Sequence, residues 1–143
     1  MRTITRSALF LGLLLIVFIA WRLAAREDVN ARVERELRAE PLGAAAKRMM
    51  LVMLADGRTL PVNYLREKNL VFMGVDGRWW RIFTGDGAPI ELLIQGETLK
   101  GHATTVLDDQ DYVDIIFRRL RPRVPGWVPG WLNGKLVVVE LDG

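Results

Sequence analysis

Cysteine is absent from the 143 residues, and histidine occurs once, at His102. Without thiols the chain can form neither a disulfide framework nor a thiolate metal site, and one imidazole offers no histidine pair for a metal. Serine occurs only at Ser7, which excludes a G-x-S-x-G nucleophile, and no phosphate loop is present. The acids Asp108, Asp109, Asp111 and Asp114 read as a helix start rather than as ligands. A formal charge of +3 is modest, and no basic stripe marks a nucleic-acid partner. No residue therefore declares itself catalytic, and no metal is expected.

What is abundant is apolar sequence at the N-terminus. Ser7 to Trp21 carries no charge and lies between Arg2 and Arg6 on one side and Arg22 and Arg26 on the other. With Leu23 to Ala25, and Arg22 snorkelling, it approaches the roughly 20 residues a bilayer requires. Two readings remain open: an uncleaved anchor over 1–25, or a signal peptide, for which the small residues near Ala25 make a poor cleavage site. Arg22, Arg26, Arg32, Arg35 and Arg38 outnumber the positive charges before the segment. By the positive-inside rule this predicts a single-pass membrane protein with a cytoplasmic C-terminal domain.

Residues 26–43 form a charged stalk. Arg32 with Glu36, and Glu34 with Arg38, fall at i,i+4 spacing, while Leu23, just before the stalk, with Val33 and Leu37 leaves a thin apolar seam. Pro41 and Gly43 end the helix. From residue 44 the pattern becomes extended, with turn signals at short intervals. Strands are expected at Met49–Ala55, Thr59–Arg66, Leu70–Val75, Pro89–Gln95, Glu97–Val106 and Lys135–Leu141. Asp56-Gly57 and Gly96 serve as hairpin turns. Pro61 must sit at an edge or a bulge. Asp108 is expected to begin and cap a helix with Tyr112, Ile115, Ile116, Arg119 and Leu120 on one face. Six strands with one short and one longer helix, after a transmembrane helix, predict a mainly β (α+β) fold, a six-stranded barrel over 44–143.

Two features stand apart from that frame. Trp79 and Trp80 are adjacent: a strand would send them to opposite faces, and a helix would separate them by about 100°. Both could seal the barrel, or one could line a site. The loop Pro122 to Gly134 places Trp127 and Trp131 in repeated P-G-W triplets behind Arg118, Arg119, Arg121 and Arg123. Cations beside aromatics suit a bilayer headgroup region or a lid, and a barrel cap is the structural alternative.

Thr59-Leu60-Pro61-Val62-Asn63-Tyr64-Leu65, Trp79-Trp80-Arg81, Gly87-Ala88-Pro89, Gly96-Glu97, Lys100-Gly101-His102-Ala103 and the closing Val137 to Leu141 recur in an order with a known parallel. From about Met49 to Leu141 the chain resembles the split-barrel family of flavin and deazaflavin binders, in particular its deazaflavin-dependent nitroreductase-like branch. The resemblance implies a split β-barrel, a homodimer, and a deazaflavin or FMN cofactor held in a groove beside the barrel. The cofactor-binding residues would come from Arg58, Tyr64, Arg78, Trp79, Trp80 and Arg81. It also implies reduction of a nitro or quinone-type lipophilic small-molecule acceptor, which an anchor would meet in the bilayer.

The sequence departs from that branch in two places. The basic turn that supplies phosphate contacts is shortened to Leu54-Ala55-Asp56-Gly57-Arg58, with an acid inside it, and Ile82 stands where the branch has asparagine. A second reading follows, a barrel without cofactor acting as a binding or assembly module at the membrane.

Overall fold

The computed structural model describes residues 2–143, with side chains described for residues 8–130, 132 and 134–143. The chain divides into two compact units, Met1–Val33 and Glu34–Gly143.

In the first unit the chain is helical throughout its described length, as part of α1 (Arg2–Ala39). Its apolar stretch has a mean hydropathy of 2.4 with no residue buried, so it is long and apolar enough to cross a membrane. An N-terminal signal sequence meets the same criterion.

The second unit begins in the last turns of α1. Of the two ion pairs expected along the stalk, Glu34 with Arg38 forms, at 2.9 Å. Leu37, from the apolar seam, is buried. Six strands follow: β1 (Met49–Met53), β2 (Thr59–Glu67), β3 (Leu70–Val75), β4 (Ala88–Ile94), β5 (Glu97–Val106) and β6 (Lys135–Leu141). They close into an antiparallel barrel in the order β1-β2-β3-β6-β5-β4, which is the six-stranded barrel predicted from the turn spacing. Gln95 and Gly96 both adopt positive φ (49° and 81°), the twist a two-residue hairpin between β4 and β5 requires.

Pro61 occupies a local edge although the barrel is closed. It pairs with Leu51 of β1, but β2 pairs with β3 only from Tyr64 onward. The missing proline N–H therefore costs no ladder bond.

Alternation along the strands makes two cores. Met50, Val52, Val62, Val71, Met73, Val75, Leu92, Ala103, Val137 and Val139 fill the barrel interior. The opposite faces of β3 and β6 present Phe72 and Leu136, which pack against Val113, Ile116 and Phe117 of α2 (Gln110–Leu120). Two details differ from the sequence reading. The capping residue is Asp109, not Asp108, its side chain accepting from the Tyr112 N–H at 3.0 Å. The buried stripe runs Val113, Ile116, Phe117 rather than through Ile115, which is half exposed. Phe117 had no place in the predicted face because that stripe was drawn one residue out of phase.

Candidate functional site

Between β3 and β4 the chain makes a 3-10 segment, Arg78–Phe83. At three residues per turn, neighbouring side chains diverge by about 120°, and residues three apart eclipse. This resolves the adjacent tryptophans: both are half-buried and both pack against the barrel core, beside the buried Phe83. Trp79 meets the Phe83 ring edge-on, with centroids 6.2 Å apart. Trp80 is held through its backbone, whose carbonyl accepts a 2.7 Å hydrogen bond from the Thr105 hydroxyl on β5. The segment closes the barrel end where β3 finishes and β6 begins, since Val75 pairs with Lys135.

That register brings a cation from a distant part of the chain to the tryptophan. The Arg81 guanidinium lies 5.5 Å and the Lys135 ammonium 5.8 Å from the centre of the Trp80 ring. Cation–π contacts of this kind contribute about 0.5–1 kcal/mol at exposed sites. Among the described residues, neither cation is paired with a carboxylate, nor is the neighbouring Arg78. Lys135 also borders a groove of about 350 Å³ between the start of α2 and the start of β6, walled by Val106, Leu107, Gln110, Val113 and Asp114. Gln110 donates to Asp114 there at 2.8 Å. Lys135 was not among the sequence-predicted site residues. Its only sequence signal was its position at the head of the last strand, and the pairing of that strand with β3 could not be read from spacing.

The six predicted cofactor-binding residues do not converge. Arg78, Trp79, Trp80 and Arg81 lie together on the 3-10 segment. Arg58 sits at the same barrel end, in the turn between β1 and β2, but its guanidinium is engaged by its neighbour. Its Nε donates to Asp56 at 2.8 Å and its backbone N–H to the same carboxylate at 3.0 Å. The Arg58 backbone N–H holds the Asp56 carboxyl below its ordinary pKa against the opposing effect of desolvation, with the Arg58 side chain adding to the lowering. Tyr64 belongs to the opposite end. Its hydroxyl donates to the carbonyl of Ala46, ahead of β1, at 3.2 Å, and burial raises its pKa despite the nearby Arg66 charge.

His102 is tied to the Asp86 carbonyl, a structural contact at the β4–β5 pair. Among the described residues no cluster of His, Asp or Glu could hold a metal ion. In the loop before β6, Trp127 is largely exposed, so it does not cap the barrel. The Trp131 side chain lies outside the described residues.

No protein-family model matches the chain, and no curated relative does. Among solved structures, a proposed pyridoxamine 5'-phosphate oxidase from Listeria innocua is similar, with a TM-score of 0.46 and 10% identity over 77% of this chain and 95% of that one. An FAD-binding protein from Mesorhizobium loti is similar with a TM-score of 0.43 and 15% identity, over 67% of this chain and 82% of that one. Likenesses at these scores carry nothing further to this chain, and the barrel assignment rests on its own strand pairing.

Proposed function

We propose that the chain is a membrane-tethered split-barrel oxidoreductase that holds the phosphate of FMN or a deazaflavin at the Trp80 end of the barrel. The observation that carries this reading is the Trp80 indole flanked by Arg81 and Lys135. Two cations fixed against one aromatic ring, with no carboxylate paired to them among the described residues, suit a phosphate, and charged hydrogen bonds to such a group contribute about 1.5–3 kcal/mol. Because the ring already carries these cations, Trp80 serves as their support rather than as a stacking surface. The Val106, Leu107 and Val113 wall of the adjoining groove offers the apolar surface for a flat ring system. Hydride chemistry would come from the cofactor, with the protein supplying binding and orientation.

In this reading α1 remains in the mature protein, the barrel faces the cytoplasm, and a nitro or quinone-type acceptor reaches the groove from the bilayer. The homodimer belongs to the same reading. Titrating the full chain in detergent with FMN and with a phosphorylated 5-deazaflavin should quench tryptophan emission saturably. Arg81→Gln and Lys135→Gln should each weaken binding about tenfold, the scale of one charged hydrogen bond. Absence of saturable quenching by either compound would reject the cofactor reading.

A second reading, a cofactor-free binding or assembly module at the membrane, is favoured by one contact. Asp56 occupies Arg58, the one arginine retained from the basic turn that resembles the family's phosphate site.

A further inference from the structure

The loop between α2 and β6 is built to present apolar groups to its surroundings. Its backbone is folded into successive closed turns: Val124 N–H to the Arg121 carbonyl at 3.1 Å, Val128 N–H to Pro125 at 3.0 Å, and Leu132 N–H to Pro129 at 3.0 Å. The middle turn, Pro125-Gly126-Trp127-Val128, carries Trp127 at its tip with 82% of its surface exposed, and Leu132 (54%) and Val124 (39%) are exposed in the same loop. A loop that closes three of its turns with its own backbone while Trp127, Leu132 and Val124 stand exposed has no packing reason to hold those three side chains there.

The charges around it are sorted. Arg119 is paired with Glu67 and Arg121 with Asp76. Arg118 and Arg123 have no carboxylate partner among the described residues. Arg118 also lines the groove of about 280 Å³ beneath the loop, with Phe117, Val124, Pro125 and Val128, and Asp114 is the one acid on that groove, its carboxylate accepting from Gln110. An indole at a turn tip, in a loop flanked by arginines with no carboxylate partner among the described residues, matches the interfacial region of a bilayer, where the ring sits at headgroup depth and cations are drawn to an anionic surface. The chain carries its own candidate membrane span, and tethering raises the local concentration of lipid at any second contact.

We propose that residues 122–132 form a lipid-docking loop that inserts Trp127 and Leu132 into an anionic membrane surface, with Arg118 and Arg123 reading the headgroup charge. This rests on the anchor part of the functional reading, and not on cofactor binding.

The absence of cysteine makes the test direct. A Cβ at Gly126 or at Gly12 meets no atom within 4 Å, so Gly126→Cys and Gly12→Cys each accept a single environment-sensitive fluorophore in the full chain. Both are reconstituted in vesicles of phosphatidylcholine with and without 30% phosphatidylserine, an amount chosen to give about a physiological surface charge. The Gly126 label should shift to shorter wavelength and be quenched by shallow nitroxide lipids only with phosphatidylserine. That shift should be lost with Trp127→Ala/Leu132→Ala, and lost with Arg118→Gln/Arg123→Gln or on raising the salt. A Gly12 label in hydrocarbon together with a Gly126 label in water under all conditions would overturn the docking. A Gly12 label in water would reject the anchor on which docking depends. Protection of the Gly126 label in lipid-free detergent that grows with protein concentration would assign the surface to a second copy and overturn the lipid proposal. Unchanged circular-dichroism melts show that the substitutions have not unfolded the barrel, as expected for exposed side chains.

Discussion

The Thr105 hydroxyl donates to the Trp80 carbonyl across 2.7 Å, and Thr105 is the one buried polar residue among the described side chains. The bond joins β5 to the 3-10 segment, adding a tertiary donor to a carbonyl in the middle of the segment. Thr105→Val preserves the shape and removes the donor, so the segment loses its side-chain tie to β5. The expected cost is about 0.5–1.5 kcal/mol, read as a lower urea midpoint at unchanged slope. Thr105→Ser should recover most of it.

A second expectation concerns the turn that resembles a phosphate site. Asp56 is held below its ordinary value of 3.8 chiefly by the Arg58 backbone N–H, with the guanidinium second among the lowering causes. Because the folded value is depressed, the contact favours the folded state above the unfolded value, and that contribution is lost as pH falls through the folded one. Carboxyl NMR titration should place Asp56 below 3.8 in the wild type. Arg58→Ala should retain part of the depression, since the backbone donor, the largest lowering cause, remains. A return to the ordinary value in that variant would mean that the guanidinium dominates.

The contrast between these two contacts shows what a sequence reading can reach. Strand positions were legible because alternation and the turn residues Asp56-Gly57 and Gly96 act locally, although Gln95, expected in the strand, belongs to the turn. The Asp56–Arg58 contact lay within three residues, and the acid's presence was visible. The Thr105–Trp80 bond and the approach of Lys135 to Trp80 were not legible, because they depend on which strands become neighbours in the closed barrel. Tyr64 was grouped with the tryptophans by motif, and nothing in a motif states which end of a barrel a strand residue serves. Trp127 was weighed between cap and surface, and only burial could decide.

Packing between the barrel and α2 supplies a third expectation. A Cβ at Gly74 would lie 2.6 Å from the Phe117 ring and 3.0 Å from an Arg121 nitrogen. Glycine thus lets the helix lie close on β3. Gly74→Ala should force α2 outward and cost about 1–3 kcal/mol by overpacking. Phe117→Leu in the same chain should relieve part of that cost, giving a non-additive pair in thermal melts. Strictly additive losses would show that the contact yields freely.

The adjacent tryptophans give the last expectation, because their side chains are anchored differently. Trp79 packs edge-on against the buried Phe83 and the barrel core. Trp79→Ala should therefore leave a hole at the barrel end and cost about 3 kcal/mol, near the lower bound for truncating a core aromatic because the ring is only half-buried. Trp80 also packs on the core, but it keeps its backbone bond to Thr105 when truncated, and its outward role is to hold Arg81 and Lys135. Trp80→Ala should melt above Trp79→Ala, yet weaken FMN or inorganic phosphate binding more, since releasing two cations restores the rotamer freedom that binding must then remove. Trp80→Phe keeps an aromatic face and should recover part of that affinity. Equal melting losses in the two alanine variants, with phosphate affinity unchanged in Trp80→Ala, would make both indoles plain packing and leave the barrel end without a binding role.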